Sequence, residues 1–260
     1  DQQRLVALAD ELVALKPEVL AAGTDGVGIA MRRKTTAIPI VLVASTNPVA
    51  VGLVQSFARP GTNVTGHSFR LDELAAKWFE LLVEISPKIS RVGYFGLVIR
   101  SGDPAESGAT IIEQTARKAA SAMGLKLVIV AAHDAAGAQK AFARLQSEGV
   151  EGLVIVPSSQ SQQFRDEIIA GARRLRIPTV SGLPAAFAET GGLATYGPNY
   201  TEMYRRAAKF VALILKGAKP ADLPVEQFDK VEFVVNLKTA RELGLKIPQT
   251  VLIRADRVIE

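Results

Sequence analysis

The chain alternates from end to end between short stretches that are apolar at every position and longer ones whose apolar residues recur every three or four. Residues 39–44 and 153–156 carry no polar alternation at all. A strand apolar on both faces must be covered on both faces, so strands of this kind separated by helices imply a parallel sheet between helical layers. Few folds other than α/β satisfy that rhythm over 260 residues.

Read along its length, the pattern opens on Leu5, Leu8, Leu12 and Leu15, whose spacings of 3, 4 and 3 predict one apolar face of a helix ended by Pro17. Strands are expected at 18–22, 39–44, 64–65, 92–95, 125–130, 153–156, 179–180 and 193–196. Helices are expected at 27–35 and 48–58, then near 72–86, 104–122, 136–148, 160–175 and 200–216. That is more strands than one small doubly wound sheet needs, so the expectation is two doubly wound parallel-sheet lobes with the chain crossing between them. Turn-rich peptides mark the crossings: just beyond Thr65-Gly66, at Gly197-Pro198-Asn199, and at 220–224. The expected division is 1–66 with about 199–219 in one lobe, and 67–198 with about 220–260 in the other.

Composition removes several classes of function. Hydrophobic residues make up 48% and charged residues 22%, the balance of a globular chain. No stretch approaches the roughly 20 apolar residues that span a bilayer. With no cysteine, neither disulfides nor thiolate chemistry contribute. The net charge of +5 comes from separated clusters, Arg32-Arg33-Lys34, Arg173-Arg174 with Arg176, and Arg205-Arg206. Nucleic-acid binding wants a continuous basic stripe or basic residues interleaved with stacking aromatics, and aromatics are 6% here. Solvated helix faces are the plainer reading, and no nucleic-acid partner is expected.

In open parallel sheets ligands sit beyond the carboxyl ends of the strands. Those positions hold Gly23-Thr24-Asp25, Ser45-Thr46-Asn47, Thr65-Gly66, Gly96 to Arg100, Pro157-Ser158-Ser159, Ser181-Gly182 and Tyr196-Gly197. Small hydroxyl and amide side chains before helix N-termini suit a carboxylate or another polar ligand. Taken singly, Thr24, Asp25 and Ser158 read equally well as helix caps; their concentration favours a binding site. Trp78 belongs to the stripe Leu71, Leu74, Trp78, Leu81 and Ile85 and reads as core. Phe187 and Tyr196, in a post-strand loop and at a strand end, are better placed to touch a ligand. Arg100 and Asp103 either grip an ionic ligand or pair with each other.

Catalytic signatures are poor. Gly23, Gly26 and Gly28 have the wrong spacing for a dinucleotide loop, and neither a phosphate-binding loop nor a nucleophile elbow occurs. The two histidines, His67 and His133, are far apart, too few for a zinc site. His67 follows the first crossing and is placed to approach a cleft, whereas His133 reads as a surface turn. No cofactor and no metal are expected.

At these same segments the sequence resembles a known family. The stretches Ala37-Ile38-Pro39-Ile40-Val41, Asn47-Pro48-Val49, and Phe57-Ala58-Arg59-Pro60-Gly61-Thr62-Asn63-Val64-Thr65-Gly66 carry the likeness. So do residues 189–199, from Glu189-Thr190-Gly191-Gly192 to Gly197-Pro198-Asn199, residues 215–226, and the tail from Val234-Val235-Asn236 to Leu243-Gly244-Leu245. Together they are similar to the periplasmic substrate-binding components of ABC importers of the tryptophan/tyrosine-binding type, a branch of the type I periplasmic binding proteins. The resemblance spans the chain. It implies two α/β lobes with three hinge crossings, an amino acid or aromatic or organic acid as ligand, an ABC permease as partner, and a periplasmic or otherwise extracytoplasmic location, with or without a lipid anchor on the full-length precursor. It places Thr24, Asp25, Thr46, Asn47 and Thr65 towards the ligand from the first lobe, and Ser158, Ser159, Gly182 and Tyr196 from the second. Members of the family usually begin with a further strand, helix and strand ahead of the point where this sequence starts. They also usually carry Asn-Pro where this chain reads Gly96-Leu97-Val98-Ile99-Arg100.

Two other classes compete. An enzyme on a two-lobed flavodoxin-like or racemase-like fold needs a convergent acid/base pair, for which only Asp25 and His67 offer themselves. The sensor core of a transcription regulator would want a DNA-binding helix pair ahead of the lobes, and none precedes them here.

Overall fold

The computed structural model describes residues 2–69, 71–96, 106–132 and 134–260, with the side chains of 2, 3, 72, 73, 106–111 and 159 also left undescribed. In chain order the elements are α1 (Gln2–Ala14), β1 (Leu20–Ala22), α2 (Asp25–Lys34), β2 (Ile40–Ser45), β3 (Val64–Ser68), α3 (Leu71–Ile85) and β4 (Arg91–Phe95). Then follow α4 (Glu106–Ala122), β5 (Lys126–Val130), α5 (Ala135–Ser147), β6 (Gly152–Ile155), α6 (Ser159–Gln163), α7 (Arg165–Leu175), β7 (Thr179–Ser181) and α8 (Ala186–Glu189). The last are β8 (Ala194–Pro198), α9 (Tyr200–Leu215), a 3-10 turn (Pro220–Asp222), β9 (Glu226–Gln227), β10 (Val231–Asn236), α10 (Leu237–Leu243), α11 (Gln249–Leu252) and β11 (Arg257–Ile259).

The chain divides into two compact units. Unit 1 is built from the chain up to Leu71 together with Asn199–Lys230, and unit 2 mainly from the chain between Asp72 and Pro198 together with Val231–Glu260. Unit 1 carries a four-stranded sheet in the order β1-β2-β3-β9, parallel throughout. All six residues of β2 are buried, as its unbroken apolar run predicts. Its Ile40 and Leu42 join Leu20, Ala22, Ile29 and Met31 in a core between the sheet and α2, while α9 packs on β2 and β3.

Unit 2 carries seven strands in the order β11-β10-β8-β7-β6-β4-β5. From β8 to β5 the pairings are parallel; β10 runs antiparallel to β8 and closes that edge with β11. Since β6 returns on the far side of β4 from β5, strand order reverses between β4 and β6. In open α/β sheets a crevice forms outside the carboxyl ends of two such strands. Trp78, Leu81 and Ile85 of α3 are buried, so the helical stripe read from the sequence is core.

Four expectations are corrected. Helix α1 turns Leu5, Ala9 and Val13 inward, while Leu8, Leu12 and Leu15 are exposed at 44, 41 and 77%. The i, i+4 ridge facing α2 decided the matter, and leucine spacing alone pointed to the wrong side. Residues 48–58 are not a helix: Leu53 N and Val54 N both donate to Pro48 O, and Gly52 takes φ +72, a left-handed conformation that ends the turn. The third crossing is not at 220–224. There Thr65 Oγ1 donates to Leu223 O, Val225 N donates to Phe57 O, and β9 pairs with β3. Those bonds hold residues 220–230 in unit 1, so the crossing falls at Lys230/Val231. For the same reason β3 runs to Ser68, and residues 67–71 stay with unit 1. The elements β10, α10, α11 and β11 carry no expectation in the sequence reading.

Candidate functional site

Unit 1 gathers Thr24, Asp25, Ser45, Thr46 and Asn47 at the carboxyl ends of β1 and β2. Thr24 caps α2, its hydroxyl accepting from Val27 N at 3.4 Å. Asp25, half-buried on the first turn, is a hub. Its carboxylate accepts from Thr46 N at 2.9 Å and from the hydroxyls of Ser45 and Thr46 in short hydrogen bonds. Three donors on one carboxylate leave it little left to offer a ligand, and bonds to an ionised acceptor are the strong ones. Asp25 therefore shapes the loop that presents Thr46 and Asn47. Ser68 Oγ secures the same loop from β3, donating to Thr46 O at 3.3 Å. Asn47, also half-buried, folds the next turn by accepting from Ala50 N at 3.0 Å.

Thr65 does not join them. It is fully buried, with its hydroxyl bonded to Leu223 O at 2.7 Å, so its work is to tie β3 to the segment before β9. The sequence reading overlooked Tyr204, 59% exposed on α9. A Cβ placed on Gly23 would lie 3.3 Å from its hydroxyl, which sets an aromatic ring beside the end of β1. Tyr200, one turn earlier, meets Phe69 edge-on with ring centroids 6.5 Å apart. Burial is the main force raising its phenol pKa to about 12. The cue in the sequence was Asn199, an N-cap followed by two tyrosines four apart.

In unit 2, Ser158 stands at the switch point between β4 and β6. It caps α6, accepting from Ser161 N at 2.9 Å and sharing a 2.6 Å contact with the Ser161 hydroxyl. The side chain of Ser159 lies outside the described residues, as do Arg100, Asp103 and His133. Gly182 and Phe187 read as ligand contacts in the sequence and are corrected by packing. A Cβ on Gly182 would fall 2.3 Å from Trp78 Cζ2 and 2.7 Å from Pro157 Cδ, so this glycine exists to let the Trp78 ring in. Phe187 is 1% exposed within the core of unit 2. Tyr196 is half-exposed on β8; its ring meets Phe233 edge-on at 5.9 Å, and its carbonyl accepts from Trp78 Nε1 at 2.6 Å. Among the described residues no group of three or more metal-ligating side chains gathers, and no helix is long and apolar enough to cross a membrane.

Two α/β units linked by several chain crossings, with hydroxyl-rich strand ends, define a small-molecule-binding protein of the type I periplasmic fold. The family model for ABC transporter substrate binding proteins matches residues 1–259, and the chain belongs to that family. A conserved domain protein of Vibrio cholerae O1 biovar eltor superposes with a TM-score of 0.89 at 28% identity, over 99% of this chain and 84% of the other. An ABC domain from Streptococcus pneumoniae, solved in complex with L-Trp, gives 0.86 at 26% identity, over 100% of this chain and 86% of that one. A tyrosine-binding protein of Clostridioides difficile is 24% identical over 267 residues, which is 95% of this chain and 68% of the relative.

Proposed function

We propose that this protein captures an amino acid, with aromatic side chains the leading class, and hands it to the membrane subunits of an ABC importer without altering it. The observation that carries this reading is the Asp25-organised loop. A structural carboxylate is spent on fixing the half-buried Thr46, beside the half-buried Asn47, while the exposed Tyr204 sets its hydroxyl beside Gly23 at the end of β1 in the same unit, which supplies polar groups and an aromatic side chain. The S. pneumoniae relative with L-Trp bound and the C. difficile tyrosine-binding protein point to the same ligand class. The proposed contacts in unit 1 are Thr24, Tyr204, and Thr46 and Asn47 on the loop that Asp25 shapes; those in unit 2, taken by itself, are Ser158, Ser159 and Tyr196. The protein would work outside the cytoplasm, free in the periplasm or lipid-anchored.

A binder of this kind must also release, so a Kd of about a micromolar, roughly 8 kcal/mol, is expected. Thermal unfolding with L-tryptophan, L-tyrosine, aliphatic amino acids and aromatic acids tests the reading. At about 100 times Kd the true ligand adds roughly 2.7 kcal/mol. Absence of any shift across the amino acids would remove the ligand class, and recovery of a chemically changed ligand after incubation would remove the transport role.

A further inference from the structure

His67 is the one described ionisable side chain in the interior of unit 1 that the reading above leaves without a role. It lies on β3 with no solvent exposure, and neither ring nitrogen has a hydrogen-bond partner. Its ring is boxed by Phe210 of α9, edge-on at 5.1 Å, and by Phe228, edge-on at 6.4 Å. Its register partner is Glu226 on β9, whose carboxylate approaches Nε2 to 3.4 Å while remaining 60% exposed.

The position matters because of what these elements become. β3 leads into the crossing at Leu71/Asp72, β9 into that at Lys230/Val231, and α9 begins just after that at Pro198/Asn199. All three meet at one imidazole. Ser68, the next residue, accepts from Phe228 N at 2.7 Å through its carbonyl and holds Thr46 O through its hydroxyl. The ring thus sits one residue from the side chain that holds the loop carrying Thr46 and Asn47.

We propose that His67 is a proton-linked positioning residue: neutral, it packs the roots of the three crossings, and protonation loosens them and weakens ligand binding. The charges around it decide the direction. Burial in an apolar box disfavours the imidazolium most strongly and pushes the pKa below the usual histidine value. Glu226 of β9 opposes this from a solvated position, while Arg206 and Lys209 of α9 reinforce it. Arg206 is itself held 4.9 Å over the Phe228 ring. The strand β2 brings no ionisable group, and the 3-10 turn beside β3 contributes Asp222. With the folded-state pKa below the unfolded value of 6.5, the unfolded chain takes up the proton first. The stability due to neutral His67 is therefore complete above that value and declines as pH falls from it towards the folded-state pKa.

The affinity half of the proposal rests on the amino-acid reading above; the titration does not. Because the chain has two histidines, NMR of imidazole-labelled protein gives two ring signals, and a His133→Gln variant assigns them. Urea unfolding and calorimetry with L-tryptophan and L-tyrosine then run from about pH 8 to about pH 5 on wild type, His67→Gln and His67→Phe. Expected are a His67 midpoint below that of a free histidine, and a Kd that rises by about three- to tenfold towards low pH in wild type only. A His67 that titrates at or above the free value overturns the proposal. So does a variant whose affinity shifts equally at every pH, which would mark a packing residue and nothing more. If neither amino acid binds at any pH, the ligand reading falls. The unfolding profile then decides the proposal: a pH slope lost in both variants sustains it, and one retained overturns it.

Discussion

In unit 1 the loop after β2 is held by a side chain, the Asp25 carboxylate with its three donors; in unit 2 the turns after β7 and within β8 are held by the absence of side chains. Gly182 admits the Trp78 ring, and Gly197 lies so close that a Cβ on it would stand 2.4 Å from Gly182 O. The first device is polar, local and partly wet. The second is apolar and shape-determined, anchored by the indole N–H on Tyr196 O. A carboxylate hub can yield when a ligand competes for its donors, whereas a glycine-packed ring cannot shift without opening a core. Unit 1 is then held by an adjustable device and unit 2 by a rigid one.

That contrast breaks most visibly at Phe187. Truncation to Ala empties a core site and should cost about 3–5 kcal/mol in urea unfolding, with ligand affinity at a folded temperature unchanged within about twofold. An affinity loss far beyond the stability loss would restore Phe187 as a contact and make unit 2 adaptive. Next comes Gly182→Ala, which forces a methyl into the Trp78 ring and should cost about 1–3 kcal/mol. The two changes Gly182→Ala and Trp78→Phe should be non-additive in a double-mutant cycle on melting temperature, because they share one contact. Additive losses would mean that the glycine acts through backbone alone.

Asp25→Asn is milder for the fold and harsher for binding. The amide still accepts from Thr46 N but turns a donor towards one hydroxyl, so a stability loss of about 1–2 kcal/mol is expected. The ligand should weaken by about tenfold as Thr46 and Asn47 lose their fixed aim. Equal losses in both units' variants, in stability and in affinity alike, would erase the distinction between adjustable and rigid devices.

The apolar rhythm made the sheets legible because burial on both faces leaves no choice of residue, as in β2 and β6. The α3 stripe was legible for the same reason. Contacts made by sequence-distant backbone were not: nothing in Thr65 announces that the carbonyl of Leu223, 158 residues away, accepts its hydrogen bond. Gly182 and Phe187 looked like a ligand loop because a strand end is the right address, and only packing separates a lining residue from a core one. Asp25 reads from the sequence as a cap or a ligand contact, and the structure adds three donors on its carboxylate, since a cap, a ligand and a hub share one residue type. Nothing in sequence spacing could reveal that β9 joins β3, so the third crossing, expected at 220–224, falls instead at Lys230/Val231.

Thr24 sets the lower bound of the comparison. It is exposed, unlike the half-buried Thr46 and Asn47, and its single cap bond to Val27 N is long at 3.4 Å. A cap of that length should be worth no more than about 0.5 kcal/mol, near the bottom of the range for such residues. Thr24→Ala therefore separates cap from contact: thermal unfolding should barely move, while a hydroxyl that meets the ligand would show as an affinity loss of about threefold or more by calorimetry. A stability loss above about 1 kcal/mol with unchanged affinity would assign Thr24 wholly to the helix, leaving Thr46, Asn47 and Tyr204 as the adjustable side of unit 1.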